Sequence, residues 1–568
     1  MAKALKNWFG IAAVAAFGGA LYFNRRQLLA QLLKLSPPQN KVIKQPGVCI
    51  TMPDGTKLAA DVYHPAGLPT APTVLMRTPY GRSNINQIFA TLFAERGFHV
   101  VAQDVRGRFG SEGKFEPYVN EGADGAATLA WIADQPWSNG RIGMWGQSYV
   151  GFVQWAAAAT GTPHLHAMLP AITQANLGGP TDQGFMWLDQ TLRWILLLEA
   201  MMDQALPAWQ KMALSYYAPE QNKRVAAGWN QLPLAAADTA VLGHAQDFYQ
   251  TWARHYQPDD PYWQAVDLRR KVPDVAVPLH LVAGWYDIFL QGQLADYAAL
   301  RAAGHTPYLT IGPWTHMDQQ GMIAAVREGL DWFAAKLKGE AEAIRPFPAR
   351  LYLQGADQWL DYEAWPPPAQ DTPFYLQAMG QLAAAEPPAG SPPDQYRYDP
   401  ADPTPNLGGA LLSIEAGRVD NRPLEARPDV LTYTTEPLSE PLTVIGHVRL
   451  RLFVRSSLAH TDFYGRLCDV GEDGRSLNVC DGLFRVQPGR GEPQPDGSLL
   501  IEVDMTATAY RFLPGHRLRL QVSSGAHPRI SRNLGTGEPV MHGTAMRVAH
   551  QTIYHDPNHP SALILPLG

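Results

Sequence analysis

The spacing of hydrophobic and polar positions changes along the chain, and each change marks a region. From 42 to 175, short apolar runs such as Thr73-Val74-Leu75-Met76 and His99-Val100-Val101-Ala102 alternate with stretches of helical period, as through Ile88, Phe89, Leu92 and Phe93. Strands alternating with helices predict a parallel sheet covered by helices. Strand patterns vanish from 176 to 270, where Trp187, Leu188, Leu192, Trp194, Ile195 and Leu198 recur at helical spacing. This stretch is expected to be a helical cap inserted into the α/β region. The α/β pattern resumes over 271–371 and closes at Pro366-Pro367-Pro368 and Asp371-Thr372-Pro373, a linker signature. From 372 to 568, short alternating runs such as Val448-Arg449-Leu450-Arg451-Leu452-Phe453-Val454 and Arg517-Leu518-Arg519-Leu520-Gln521-Val522 predict a β-sandwich.

The first 41 residues follow a different rule. Lys3 and Lys6 precede an apolar run from Trp8 to Phe23, broken by Gly10, Gly18 and Gly19 and followed by Arg25 and Arg26. A basic start and an apolar core fit a signal peptide. Leu21-Tyr22-Phe23 prolongs the run past the small residues, which blurs a cleavage site. The run is shorter than the ~20 residues of a full span. The expectation is a membrane anchor over 1–41, with cleavage and release as a secreted or periplasmic protein as the alternative.

Composition narrows the class. A chain of 568 residues exceeds one hydrophobic core, so several domains are expected. Apolar content of 46% with 17% charged residues describes a packed enzyme rather than a disordered chain. A net charge of -6 leaves no basic footprint for nucleic acid. No Walker loop, dinucleotide fingerprint or zinc-spaced Cys/His cluster occurs, so neither cofactor nor metal is expected. Cys49, Cys468 and Cys480 are odd in number. The last two flank the turn Gly471-Glu472-Asp473-Gly474 and would meet on adjacent strands as a pair in an exported domain, with buried thiols the safer reading.

The sharpest chemical signal is Ile142-Gly143-Met144-Trp145-Gly146-Gln147-Ser148-Tyr149-Val150-Gly151, an apolar run that breaks into glycines around one serine. A serine between small residues at a strand-to-helix turn is a nucleophile elbow, here spaced Gly-x-Ser-x-x-Gly. A serine hydroxyl needs a general base, and the base an orienting acid. Downstream, Pro278-Leu279-His280-Leu281-Val282-Ala283-Gly284-Trp285-Tyr286-Asp287 is a strand ending in glycine and then an acid. Tyr308-Leu309-Thr310-Ile311-Gly312-Pro313-Trp314-Thr315-His316 is another, ending in a histidine. The order Ser148, Asp287, His316 is that of α/β-hydrolases, and each residue stands where open sheets place their ligand sites, past a strand end. Among 17 histidines, His99 and His280 fall inside apolar strands and read as core. His164 and His166 follow the elbow too closely to fold back over it. Asp104, before Arg106-Gly107-Arg108, is expected to hold a loop by pairing with an arginine.

These blocks, in this order, resemble the CocE/NonD family of α/β-hydrolases, which groups cocaine esterase with X-prolyl dipeptidyl-peptidases and α-amino acid ester hydrolases. The likeness also rests on Met52-Pro53-Asp54-Gly55-Thr56, Arg77-Thr78-Pro79-Tyr80-Gly81, Gln103-Asp104-Val105-Arg106-Gly107-Arg108-Phe109-Gly110, Leu330-Asp331-Trp332-Phe333, Asp420-Asn421-Arg422-Pro423 and Thr461-Asp462-Phe463. It implies an α/β-hydrolase core with an inserted helical cap and a jelly-roll β-sandwich. Ser148 would be the nucleophile, His316 the base and then the acid, and Asp287 the orienting group. Tyr80 would donate its hydroxyl to the oxyanion, joined by the backbone N–H of Tyr149.

Trp285 and Phe289, flanking Asp287, and the cap residues Trp187 and Trp194 are candidates for a substrate pocket. Asp182, Asp189, Glu199 and Asp203 are the cap acids that would recognise a substrate's free amino group. The expected partners are a small-molecule ester or amide, the membrane through the N-terminal segment, and a second copy of the chain in a homodimer. The favoured function is a serine acyl hydrolase working through an acyl-enzyme. Its alternatives are an X-Pro dipeptidyl-peptidase or α-amino acid ester hydrolase on the same triad, and, in another class, a membrane-attached binding protein with an inactive hydrolase domain.

Overall fold

The computed structural model describes residues 20–202 and 219–568. Most of the N-terminal apolar run, and Asp203, lie outside the described residues. Ten strands build the first sheet: β1 (Val42–Thr51), β2 (Lys57–Pro65), β3 (Ala71–Thr78), β4 (His99–Asp104), β5 (Ser138–Gln147), β6 (Ala167–Ala171), β7 (His280–Tyr286), β8 (Tyr308–Thr315), β9 (Ala349–Leu353) and β10 (Gln358–Tyr362). Their spatial order is β1-β2-β4-β3-β5-β6-β7-β8-β9-β10. All pairings from β4 to β9 are parallel, while β1-β2, β2-β4 and β9-β10 are antiparallel. Strands β3, β4, β6 and β7 are buried at every position. That is why they read as continuous apolar runs rather than alternating ones. His99 and His280 are core residues, as their strands predict. Burial pushes the imidazole pKa of His99 down to about 4 and that of His280 well below its ordinary value.

Helices cover both faces of this sheet, among them Ile85–Ala94, Glu121–Ala133, Tyr149–Ala158, Leu290–Ala302 and Gln319–Phe333. Between β6 and β7 the described residues form no strand. They form the helices Leu188–Met202, Pro219–Asn230, Ala237–Leu242, Asp247–Arg254 and Pro261–Val266. The fold is thus an α/β-hydrolase with a helical cap inserted between β6 and β7. At the other end of the chain, the helix Ala20–Leu32 brings Leu29 and Ala30 against the core. Arg26 pairs with Glu95. No helix among the described residues is long and apolar enough to cross a membrane.

From Gln370 onward the chain is almost wholly β. In the strand Leu442–Ser456, Val448, Leu450, Leu452 and Val454 point into the core, and the arginines between them point outward. That strand bonds three others, Leu499–Phe512, Ala549–Tyr554 and Ala562–Leu567. It pairs with Leu499–Phe512 along almost its whole length, and with Ala562–Leu567 and then Ala549–Tyr554 in succession. Cys468 and Cys480 are free and buried on neighbouring strands. A register shift sets Leu467, not Cys468, opposite Cys480.

Candidate active site

Strand β5 ends at Gln147 and the next helix begins at Tyr149, so Ser148 alone makes the turn, at φ 55° and ψ −125°. L-residues rarely adopt that conformation. The motif glycines permit it. A Cβ on Gly146 would stand 2.1 Å from Val150 Cγ1, and one on Gly151 would stand 2.5 Å from Thr173 Cγ2. The Ser148 N–H donates to the Ala171 carbonyl at the end of β6 (3.0 Å), and its carbonyl accepts the first bonds of the helix.

Asp287 follows β7 and His316 follows β8, where the parallel register slips between Gly284 and Tyr286. Gly284 allows the close approach, since a Cβ there would lie 2.3 Å from the Trp314 carbonyl oxygen. Asp287 Oδ2 is 2.7 Å from His316 Nδ1, and His316 Nε2 is 3.1 Å from Ser148 Oγ. The remaining oxygen, Oδ1, accepts from the Phe289 N–H at 2.8 Å. A carboxylate only accepts, so Nδ1 carries the proton and Nε2 presents its lone pair to the serine. Phe289 packs edge-on against His316, with ring centroids 5.4 Å apart.

Tyr80 sits on the loop after β3. The loop is tied down by Tyr80 N–H to Thr78 Oγ1 (3.0 Å), Asn84 Nδ2 to the Tyr80 carbonyl (2.6 Å) and Arg82 N–H to Asp104 Oδ1 (2.7 Å). The arginine expected to pair with Asp104 is therefore Arg82, across the switch in strand order. The Tyr80 hydroxyl lies beside Ser148, and burial raises its pKa to about 12. It remains a donor throughout the neutral range. The backbone N–H of Tyr149, first in its helix, lacks an intrahelical acceptor and lies at the positive end of the helix dipole. Its side chain turns away, donating to Glu121 Oε1 (2.8 Å) and accepting from the Tyr118 N–H (3.0 Å).

The four pocket candidates separate. Trp194 donates its indole N–H to the Tyr80 hydroxyl at 2.9 Å. Phe289 backs the histidine. Trp187 lies under Arg529, 5.5 Å from its guanidinium, and lines the clefts between cap and β-sandwich. The larger of the two spans about 750 Å³, counting space open to solvent, and reaches Asp287 and Ile288. Trp285 bonds the Tyr352 carbonyl (2.8 Å), packs on Trp365 and also lines the larger cleft.

Sequence reasoning missed the apolar group around Tyr80. Leu197 and Met201 from the cap meet Leu412 from the β-sandwich, with Trp194, Ile288 and Met317 packed beside them. Ile288 and Met317 adjoin Asp287 and His316 in sequence and were findable on that ground. Leu412 carries no local signal. The described cap acids are engaged elsewhere: Asp182 with Arg269 (2.9 Å), Asp189 with Arg193 (2.8 Å) and Glu199 with His244 (3.4 Å).

Comparison with known proteins agrees with this layout. The family described as X-Pro dipeptidyl-peptidase (S15 family) matches residues 54–318. The X-Pro dipeptidyl-peptidase C-terminal non-catalytic domain matches residues 345–564. Cocaine esterase of Rhodococcus sp. (strain MB1 Bresler) is 34% identical over 92% of this chain and 98% of its own. Among solved structures, an α-amino acid ester hydrolase is 25% identical with a TM-score of 0.78, covering 94% of this chain and 98% of that one. An aminopeptidase from a marine sediment Thaumarchaeota archaeon shares the fold at 24% identity and a TM-score of 0.78, over 93% of this chain and 96% of that one. The likeness runs through core, cap and β-sandwich together, and the chain belongs to the family of serine hydrolases that holds cocaine esterase and the X-Pro dipeptidyl-peptidases.

Proposed function

We propose that the protein hydrolyses carboxylic esters of uncharged, apolar acids, with Ser148 as nucleophile. His316 takes the serine proton as Oγ attacks the carbonyl carbon, then delivers it to the leaving alcohol as the tetrahedral intermediate collapses to an acyl-enzyme. Water repeats the sequence and frees the acid. Asp287 keeps the imidazole in its tautomer and stabilises the imidazolium. The Tyr80 hydroxyl and the Tyr149 N–H receive the oxyanion, each fixed donor supplying ~3 kcal/mol.

The observation that carries the ester reading is the wall around Tyr80. Leu197, Met201, Leu412, Ile288 and Met317 are all apolar, while Asp182, Asp189 and Glu199 have partners already. An α-ammonium group would lose its water there without gaining a free carboxylate. X-Pro dipeptides and α-amino acid esters are therefore the weaker substrates on the same machinery. The binding-protein alternative has no support in a connected Ser148–His316–Asp287 line. Attachment to a membrane through Trp8–Phe23 belongs to the same proposal and is read by fractionating cells, with release into the soluble or periplasmic fraction as the opposing result. Pairing into a homodimer is read by light scattering.

The test is hydrolysis of p-nitrophenyl acyl esters against X-Pro and α-amino acid p-nitroanilides, with Ser148→Ala beside the unaltered protein. Ester turnover and fluorophosphonate labelling, both lost in the variant, are the expected result. Faster anilide turnover would replace the ester reading with a peptidase. Neither turnover nor labelling would remove the triad.

A further inference from the structure

We propose that Trp194 is a positioning residue of the oxyanion hole, so that the hole is complete only when the cap helix is seated on the core. The inference rests on Tyr80 acting as an oxyanion donor. An indole N–H can only donate, and a phenol carries one hydrogen and accepts through its lone pairs. With Trp194 Nε1 2.9 Å from the Tyr80 hydroxyl, the tyrosine oxygen must be the acceptor in that contact. Its own hydrogen is left for another acceptor, and Ser148 stands beside it. Without the indole donor, the hydroxyl would be free to turn its hydrogen elsewhere or to accept from water.

The surroundings hold Trp194 to that task. Its ring stacks nearly parallel with Tyr149 (16°, centroids 5.9 Å), Tyr118 (13°, 6.3 Å) and Trp252 (9°, 6.1 Å). Two of these rings belong to the core and one to the cap, so the stack fixes the indole against the nucleophile's own helix. A second tie lies one helical turn further on. Arg108, a core residue, donates to the Leu198 carbonyl on the cap helix (2.9 Å) and to the carbonyl of Pro79, the residue before Tyr80 (3.0 Å). The cap helix therefore holds the Tyr80 loop at two points, directly at the Tyr80 hydroxyl and through Arg108 at the backbone. Contact with substrate alone, the role expected for Trp194 from the sequence, requires neither bond.

The experiment is a double-mutant cycle on a p-nitrophenyl ester, comparing the unaltered enzyme, Trp194→Phe, Tyr80→Phe and the double variant. Tyr80→Phe is expected to lower kcat about a hundredfold, as loss of an oxyanion donor does. Trp194→Phe keeps an aromatic ring in the stack and is expected to lower kcat about tenfold with KM within about twofold, the signature of an interaction made in the transition state. The double variant should match Tyr80→Phe, since Trp194 acts only through the tyrosine. Replacing Trp194 with 3-benzothienylalanine, which has sulfur in place of the N–H, should reproduce the loss with the shape intact. A change confined to KM, or the same loss from Trp194→Phe in both backgrounds, would overturn the proposal by showing a packing or substrate-contact role. A Tyr80→Phe enzyme as fast as the original would instead remove the oxyanion reading on which it rests.

Discussion

Ser148 is held at φ 55° and ψ −125°, a conformation that costs an L-residue about 1–3 kcal/mol and persists only where the surroundings over-determine it. Here they do: a helix starts at the next residue, β6 takes the serine N–H, and the glycines leave room for the turn. Asp296 stores strain of another kind. It is buried in the helix Leu290–Ala302 and accepts the Ala175 N–H at 2.7 Å. Burial raises its pKa from 3.8 to about 8. Between those values the folded protein keeps a proton that the unfolded chain has released, so stability falls as pH rises across the window. Asp296→Asn keeps an acceptor for Ala175 and does not titrate. The variant is expected to melt with the unaltered protein near pH 4 and progressively above it toward pH 8. Thermal unfolding at a series of pH values reads the difference, and parallel curves would show that Asp296 ionises freely in the fold.

Elements, rather than residues, aim the chemistry. Each of Tyr80, Ser148, Asp287 and His316 follows the C-terminal end of a different strand in the stretch β3-β5-β6-β7-β8. The sheet thus sets their mutual distances and the loops add only the last residue or two. The elbow is the least tolerant of these joints. Gly146→Ala would push a methyl carbon to 2.1 Å from Val150 Cγ1, with Val150 itself fixed in the helix. Either the helix moves or Ser148 does. The expectation is a loss of more than about 3 kcal/mol of stability or, in protein that folds, loss of fluorophosphonate labelling. Denaturant unfolding and labelling of the purified variant distinguish the two, and a stable, fully labelled protein would show that the elbow is more pliant than its geometry.

At the scale of the molecule, three regions meet at Tyr80. The core supplies the triad and Tyr80, the cap supplies Trp194, Leu197 and Met201, and the β-sandwich supplies Leu412. Gly417, on the loop that carries Leu412, comes within 3.5 Å of Thr315, the neighbour of His316, measured from the Cβ position it lacks. Elsewhere Asp481 of the sandwich bonds Arg466 (3.1 Å) and Arg529 (2.6 Å). Arg529 also covers Trp187 at the cap's base. Leu412→Ala removes only side-chain bulk from the pocket wall. The optimum acyl length on a p-nitrophenyl ester series is expected to shift toward longer chains, with the rate on the best substrate within about tenfold. An unchanged length profile would place the acyl group on another wall.

The sequence by itself determined the order of strands and helices, the inserted cap, the β-sandwich and the three residues now joined by hydrogen bonds. Those features are local: a strand buried on both faces is mostly apolar, an elbow needs its glycines, and a strand-end acid or histidine keeps its place in the motif whatever packs above it. Tertiary structure alone decided which aromatic side chains reach the site. Trp285 has the stronger claim in sequence because it flanks Asp287, yet it packs on Trp365, while Trp194 from the cap donates to Tyr80. It also brought Leu412 to a tyrosine more than three hundred residues away and paired Asp182, Asp189 and Glu199 with basic groups. Contacts between regions depend on how whole layers dock, and a period-2 or period-3.6 pattern records which face of an element is buried without recording what buries it.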